Sequence, residues 1–353
     1  MNAVKKKGKR KWLKILLAVF AILVLGLCIT GWSYYKKVFH PNINITKNET
    51  YLYIPTGSDF DAVMQILQNK GWLINTASFE WVAELKNYPS QVKPGKYKIK
   101  KGMSNNDLVN LLRSGRQEPV KVTFNNIRKP EELAGRVASY IEADSISIID
   151  LYRSSEAREE YGFAGDKFFT MFIPNTYEFY WNTSAEDFFE RMAKEYKDFW
   201  NEERKEKAKR TGLSQSEITI LASIVEKESL RRDEQPSIAG VYINRIRTGM
   251  LLQADPTVVF AIGDFTIKRV LKKQLEFDSP YNTYIHKGLP PGPICLPQSS
   301  TIDAVLNYKD HKYLYFCAKE DFSGYHNFAK NLEQHNLNAR KYQAALNKLN
   351  IKK

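Results

Sequence analysis

The longest apolar segment of the chain lies near its start. Residues 15–32 (ILLAVFAILVLGLCITGW) carry no charged side chain. A helix of roughly 20 apolar residues crosses the hydrocarbon core of a bilayer, and aromatic residues such as Trp12, Trp32 and Tyr35 are enriched at the two interfaces. We therefore predict a transmembrane helix over residues 15–35. A cleaved signal peptide is the alternative, but the run is long for one and no small-residue cleavage site follows it.

The charges on the two sides of this segment differ. Seven basic residues lie in the tail 1–14, whereas only Lys36 and Lys37 follow directly after the apolar run. Because Lys and Arg accumulate on the cytoplasmic side of a membrane span, this asymmetry predicts a cytoplasmic N-terminus and a single pass. Everything beyond about residue 36 is then expected outside the cytoplasm.

The spacing of apolar residues next predicts small strand–helix units, after a linker at residues 36–48. In each unit an alternating strand is followed by a turn and by a helix with apolar residues at 3.6-residue spacing. The units lie at 51–67, at 97–112 and, more weakly, at 122–141. Each is too short to bury its own apolar face. Units of this kind resemble LysM domains, which bind glycans, and we assign a LysM-like region to residues 49–120; a purely structural spacer is the alternative.

One later helix carries a carboxylate within its own apolar face. It is predicted to begin at residues 214–217, which have the spacing of a capping box. At about 100° per residue, Glu228 lies on the same face as Leu221 and Val225, and Glu226 points to the opposite side. Burial disfavours the charged form of a carboxyl and raises its pKa, as a general acid requires near neutral pH. Glu228 is therefore the predicted catalytic acid; a cap at the end of a core helix is the alternative.

Composition narrows the function further. Hydrophobic residues make up 43% of the 353 residues, which is enough for well-buried cores. The formal net charge of +14 could suit a protein that binds nucleic acid, but half of this charge lies in the N-terminal tail. No basic stripe with interleaved aromatic residues accompanies it. Nucleic acid is therefore not an expected partner. The histidines and cysteines show no ligand spacing, so neither a metal nor a cofactor is predicted.

Several ordered sequence blocks carry a family resemblance. They begin with the Glu228 helix and continue through short loops rich in Pro, Asn and Gly, which suit a ligand groove. The blocks are LASIVEKES at 221–229, VYINR at 241–245, GM at 249–250, LQADPTV at 252–258, YNTY at 281–284, GLPPGPI at 288–294, YLYF at 313–316, HNF at 326–328 and HN at 335–336. Through them the chain resembles the YceG-like family of membrane-anchored endolytic murein transglycosylases, known as MltG.

The resemblance implies a fold and an activity. The expected fold class is α+β, with a mixed α/β catalytic domain at 121–348 behind the LysM-like region. The implied reaction cleaves the bond between N-acetylmuramic acid (MurNAc) and N-acetylglucosamine (GlcNAc) within nascent peptidoglycan strands. It leaves 1,6-anhydroMurNAc ends and ends strand elongation. The implied location is the bacterial inner membrane, with the catalytic domain periplasmic and penicillin-binding proteins as possible neighbours.

The resemblance also implies roles for single residues. Catalysis falls to the second Glu of the Glu-Lys-Glu block, which is Glu228. By motif position we expect five residues to bind or position substrate: Ser229, Asn244, Gln253, Asp255 and Tyr284. Two other functions are alternatives. One is a hydrolase that uses Asp255 as its base, and the other is a non-catalytic, membrane-tethered scaffold that binds glycan.

Overall fold

The computed structural model describes residues 2–348, with side chains described from Lys11 onward. The fold is mixed α/β, as expected. The helices are α1 Asn2–Phe39, α2 Phe60–Asn69, α3 Thr76–Leu85, α4 Asn105–Ser114, α5 Pro130–Ala138, α6 Ser145–Arg153, α7 Ser155–Glu160, α8 Ala185–Phe199, α9 Glu202–Thr211, α10 Gln215–Glu228, α11 Gln235–Arg247, α12 Asp255–Ile262, α13 Ser299–Leu306 and α14 Leu332–Lys348. Short 3-10 helices lie at Pro89–Gln91, Gly165–Met171 and Lys272–Glu276.

The strands form small two-stranded sheets rather than one large sheet. They are β1 Glu49–Ile54, β2 Gly95–Lys100, β3 Val120–Phe124, β4 Asn175–Phe179, β5 Tyr315–Ala318 and β6 His326–Ala329. Each pairs with one neighbour, β1 with β2, β3 with β4 and β5 with β6. The chain divides into two compact units. The first ends at Val120 and also includes Tyr180–Asn182, and the second contains residues 121–179 and the chain from Thr183 onward.

Helix α1 contains the predicted membrane span and continues beyond it. Its segment Lys11–Phe39 is long and apolar enough to cross a membrane, and an 18-residue stretch within it has a mean hydropathy of 2.7. The end of the helix is different, because Val38 is buried in the core of the first unit together with Ile43 and Ile45. Part of the segment predicted as a linker, 36–48, thus packs into the core of the first unit.

The first unit contains the first two predicted strand–helix copies. Strand β1 is followed by α2, and β2 is followed by α4, as the apolar spacing predicts. The two strands pair antiparallel from Glu49↔Lys100 to Ile54↔Gly95, and the copies share one core. Helix α3 between them was not predicted. The third, weaker copy does not extend this sheet, since β3 pairs with β4. The LysM-like nature of this region stays a prediction.

Helix α10 lies at the centre of the second unit. The predicted capping box is present, because Ser214 Oγ accepts the Glu217 backbone N–H and the Glu217 carboxylate accepts the Ser214 N–H. Every residue from Ile218 to Val225 is buried, and the surrounding core includes residues of α11 and α13. The helix is therefore buried on all sides, where the spacing argument expected a single apolar stripe. Because the helix is packed in the core along its length, the position of Glu228 in its last turn is well defined.

Candidate active site

Glu228 is the last residue of α10 and lines an open cleft of the second unit. Ser229 ends the helix in an extended conformation, so the Glu228 side chain projects from a fixed helix end. The cleft has a volume of about 320 Å³, and its walls also contain Asp255, Phe260 and Phe265. Two of the predicted site residues, Glu228 and Asp255, thus lie together in the cleft. The aromatic side chains beside them can pack against a flat ligand.

Tyr242 on α11 holds the Glu228 carboxyl. Its hydroxyl donates a hydrogen bond of 2.7 Å to Glu228 Oε1. The tyrosine is buried and packs edge-on against Phe316, with ring centroids 5.8 Å apart. Burial raises the pKa of Tyr242 well above its usual value, so the phenol remains a proton donor in the hydrogen bond at neutral pH. Pro236 in the first turn of α11 fixes where this helix begins.

The environment of Glu228 changes its proton affinity. Burial raises the pKa of Glu228 from 4.5 to about 7, and the negative charge of Asp255 acts in the same direction. The hydrogen bond from Tyr242 and the positive charge of Arg245 act in the opposite direction but do not cancel the effect of burial. Near neutral pH the group is thus present both as acid and as carboxylate. This is the property that acid–base catalysis by one residue requires.

Arg245 connects α11 to the loop that leads to Asp255. Its guanidinium donates to the backbone oxygens of Leu314 at 2.6 Å and Leu252 at 2.8 Å. It also lies 5.2 Å from the ring centroid of Tyr315. Burial lowers the pKa of Arg245 from its usual range, and the nearby carbonyl oxygens compensate the buried cation. Arg245 therefore fixes the course of the chain next to the cleft.

Two of the predicted groove loops are joined to each other. Thr283 Oγ1 accepts the Ala254 N–H at 3.0 Å and shares a hydrogen bond of 2.9 Å with Thr257 Oγ1. At the edge of this junction the Tyr284 hydroxyl donates to Asp255 Oδ1. Burial raises the pKa of Tyr284, so its hydroxyl also remains protonated. The loops at 253–257 and 281–284 thus form one rigid wall that presents Asp255 to the cleft.

The other predicted substrate-binding residues have contacts with the protein itself. Ser229 is buried, and its Oγ accepts the Arg231 N–H at 3.1 Å. The Asn244 amide donates to two backbone oxygens of the segment 311–313, at 2.6 and 3.1 Å. Gln253 is exposed, has a left-handed backbone with φ of 52°, and lies beside Arg245. In the described structure none of these three lines the cleft of Glu228, and their roles toward substrate stay predictions.

Sequence reasoning missed several residues of the site. Tyr242 and Arg245 were recognised only as members of the VYINR block, and the basic lining residues Arg128, Lys227 and Lys268 were not singled out. The spacing of Tyr242 and Arg245, three residues apart on one helix, was a usable signal that both face the same neighbour. Within residues 2–348, no group of three or more His, Cys, Asp or Glu side chains is arranged to hold a metal ion.

The chain is similar to known proteins over most of its length. An endolytic murein transglycosylase of Bacillus subtilis is 30% identical over 333 residues, which cover 90% of this chain and 91% of the relative. An endolytic murein transglycosylase of Streptococcus pneumoniae is 26% identical, and the match covers 91% of this chain but only 63% of that longer protein. The crystal structure of a YceG-like protein from Listeria monocytogenes superposes with a TM-score of 0.55 at 27% identity, covering 83% of this chain and 99% of that one.

The sequence model of one family, the YceG-like family, matches most of the chain. It matches residues 52–341, which include α10 with Glu228, the wall with Asp255, and the small strand–helix region. The match therefore does not rest on the cleft alone, and the chain belongs to the YceG-like family.

Proposed function

We propose that this protein is an endolytic lytic transglycosylase that cleaves murein glycan strands at internal bonds. The relatives from Bacillus subtilis and Streptococcus pneumoniae carry this activity in their names. The observation that carries the proposal is a glutamic acid with a pKa of about 7 at the edge of an open cleft, hydrogen-bonded to a buried tyrosine. A non-catalytic scaffold has no need of such a group.

The proposed reaction uses Glu228 twice. As an acid it gives its proton to the glycosidic oxygen, the bond between MurNAc C1 and that oxygen breaks, and the GlcNAc end leaves with a free C4 hydroxyl. As a carboxylate it then takes the proton from the MurNAc C6 hydroxyl, whose oxygen bonds to C1 of the same sugar. The products are a 1,6-anhydroMurNAc end and a new GlcNAc end. No water is consumed, and Glu228 returns to its protonated form.

The surrounding groups support this cycle in separate ways. The Tyr242 hydroxyl orients the carboxyl and stabilises it when it is charged, which makes Tyr242 a positioning residue. The charge of Asp255 favours the protonated form before bond cleavage. Asp255, with Tyr284 behind it, stands in the cleft where it can also stabilise positive charge developing at C1 or accept a sugar hydroxyl.

A hydrolase is the second candidate, and one observation favours it. Asp255 lines the cleft together with Glu228. Enzymes that hydrolyse glycosidic bonds usually use two carboxylates. In that reaction Asp255 would act as base or nucleophile. The two reactions differ in mass, because a hydrolysed strand gains one water and a transglycosylated strand does not.

Product analysis tests the proposal directly. The full-length protein in detergent is incubated with purified glycan strands, and the products are weighed by mass spectrometry. Internal fragments with anhydro ends are expected from the unchanged protein and not from Glu228→Gln. The matched control is Glu226→Gln on the same helix, whose carboxylate instead accepts the Gln298 N–H and the Thr301 hydroxyl, and it should keep the activity. Reducing ends would favour the hydrolase, and no cleavage would contradict both reactions.

The position of the enzyme in the cell belongs to the same proposal. Helix α1 is proposed to anchor the protein in the bacterial inner membrane, with the basic tail in the cytoplasm and the cleft on the periplasmic side, where nascent strands are made. The region 49–120 is proposed to be LysM-like and to contact glycan, and penicillin-binding proteins are the proposed neighbours. Protease accessibility in intact spheroplasts tests the orientation, since only the part after α1 should be digested.

A further inference from the structure

Three basic side chains line the cleft together with Glu228. Arg128 lies before α5, Lys227 is in the last turn of α10, and Lys268 follows α12. They come from three separate parts of the second unit. Among the described residues, none of the three forms an ion pair with a carboxylate of the protein. The cleft therefore presents three cations whose charges the protein does not compensate by direct contact.

Two of these cations are held in place. The Arg128 guanidinium lies 4.1 Å from the ring centroid of Phe265, which also lines the cleft. The Lys227 ammonium donates a hydrogen bond to the Asn126 side chain. Both side chains are half-buried, whereas Lys268 is exposed. A side chain that is already ordered loses less conformational entropy when it binds an anion, so these positions favour binding of one.

These cations do not act as the main regulators of Glu228. The pKa of Glu228 is shifted by burial, Tyr242, Asp255 and Arg245, and the three lining cations are not among the causes. The carboxylates that line the cleft are Asp255 and Glu228, and Glu228 is only partly charged at neutral pH. The cleft thus carries excess positive charge that the acid–base chemistry does not use. An anionic part of the ligand would use it.

We propose that Arg128, Lys227 and Lys268 bind carboxylates that branch from the muramic acid residues of the glycan strand. This inference rests on the function proposed above. The sugar rings of the strand are neutral, and its negative charge lies on the lactyl group of MurNAc or, where a peptide is attached there, on the carboxylates of that peptide. The three cations make the cleft specific for strands with acidic branches over neutral polymers of GlcNAc.

The test compares charged and neutralised strands. Strands with peptides and strands freed of peptides by an amidase are each used before and after their carboxylates are converted to amides with carbodiimide and ammonia. The full-length protein in detergent should cleave both charged forms about 10- to 50-fold faster than the amidated forms, as expected from three charge pairs at or near the surface. Arg128→Gln, Lys227→Gln and Lys268→Gln should each cost about 2- to 5-fold on charged strands, and the triple variant should lose the preference.

Three further measurements exclude a structural effect of the variants. The preference of the unchanged protein should weaken with added salt, because exposed charges are screened. The pH dependence of cleavage should shift little in the triple variant, since burial and not the three cations is the main cause of the raised pKa of Glu228. Lys194→Gln changes an exposed lysine of α8 that does not line the cleft, and it should leave the preference intact. Dependence on only one charged substrate would assign the contact to the lactyl group or to the peptide.

Binding in the Glu228→Gln background separates this inference from the proposed reaction. Fluorescence anisotropy with labelled strands measures the preference for charged strands without any cleavage. Equal binding of charged and amidated strands, or a triple variant with an unchanged preference, would overturn the assignment of the three cations. A preference in binding together with no cleavage by the unchanged protein would support the assignment and contradict the proposed reaction.

Discussion

Each of the two carboxylates in the cleft accepts a hydrogen bond from a tyrosine hydroxyl that lies behind the cleft wall. On the α10–α11 side Tyr242 donates to Glu228, and on the loop side Tyr284 donates to Asp255. The two sides differ in exposure. Glu228 lies at the end of a helix that is buried on all sides, and Tyr242 is 1% exposed, whereas Asp255 is solvent-exposed at the start of α12.

This difference shows what gives Glu228, the proposed acid, its raised pKa. The hydrogen bond to a tyrosine lowers the pKa of Glu228, so it cannot be the reason that the group is protonated near neutral pH. Burial is the larger cause and reverses the effect of the hydrogen bond. The protein thus uses the helix core to retain a proton on Glu228, and leaves Asp255 in water where its charge is less costly.

The largest expected effect follows from removing the buried acid itself. Glu228→Gln retains the shape of the side chain and can still contact Tyr242, but it cannot give or take the proton. We expect a 100- to 10,000-fold loss of cleavage rate, in the range typical of a general acid–base group. Rates of formation of anhydro ends measure this. A variant that keeps more than a tenth of the activity would mean that Glu228 is not the acid.

The same substitution should change stability in a pH-dependent way. The pKa of Glu228 is about 7 in the folded protein and 4.5 in the reference state. Below about pH 4.5 both states are protonated and burial has no electrostatic cost. Between 4.5 and 7 the unfolded state releases its proton first, so stability is lost as pH rises. Glu228→Gln removes this loss and should stabilise the protein at pH 8 by on the order of 3 kcal/mol, relative to its effect at pH 4.

Thermal unfolding of the full-length protein in detergent at the two pH values measures this difference. Glu226→Gln serves as the control, because the Glu226 carboxylate is held by hydrogen bonds near the surface instead of being desolvated in the cleft. A melting temperature of Glu228→Gln that has the same offset from the unchanged protein at both pH values would contradict a raised pKa.

Removal of the buried phenol should sharpen the contrast between the two sides. Tyr242→Phe deletes the hydrogen bond that lowers the pKa of Glu228, so the pKa should rise and the alkaline decline of the cleavage rate should move to higher pH. The rate at the optimum should fall about 10-fold, because a charge-assisted hydrogen bond of roughly 1.5 kcal/mol is lost from the carboxylate form. A pH–rate profile measures both effects. Tyr284→Phe is the matched control, since its hydroxyl contacts Asp255 instead.

The smallest expected effect concerns the exposed carboxylate. Asp255→Asn removes a negative charge that raises the pKa of Glu228, so the alkaline decline should move to lower pH, opposite to the shift in Tyr242→Phe. We expect a rate only about 3- to 5-fold lower, in keeping with an interaction of under 1 kcal/mol at an exposed site, and unchanged anhydro products. A loss as large as that of Glu228→Gln, together with reducing ends, would identify Asp255 as the base of a hydrolase.

The sequence predicted the elements of this molecule better than their contacts. Strands β1 and β2 and helices α2 and α4 of the first unit follow from local apolar spacing, whereas α3 does not, and the start of α10 follows from its capping box. The same local pattern placed Glu228 correctly at the end of this helix, but the reasoning was incomplete. It indicated one apolar face, whereas the helix is buried on all sides. Local spacing describes which side chains share a face, and it does not describe how many neighbours that helix has.

The details of the site depend on contacts between distant segments. Tyr242 is fourteen residues from Glu228 along the chain, and no local pattern distinguishes a core tyrosine from one that holds a carboxyl. Asn244 shows the reverse case, because its position in a block that resembles the family suggested a contact with substrate, whereas its side-chain amide donates to two backbone oxygens. Arg128 was not foreseen since it enters the cleft from a segment a hundred residues before α10 ends.

The junction between α1 and the first unit has a consequence for how substrate is met. The buried Val38 comes only six positions after Trp32, at the end of the apolar run, and six residues of helix rise about 9 Å. A loose tether of the thirteen residues 36–48 could reach roughly 40 Å. With α1 as the proposed anchor, the first unit is held at a nearly constant height above the lipid. Its search for a strand is then two-dimensional, and lateral diffusion in the membrane sets how often it meets one.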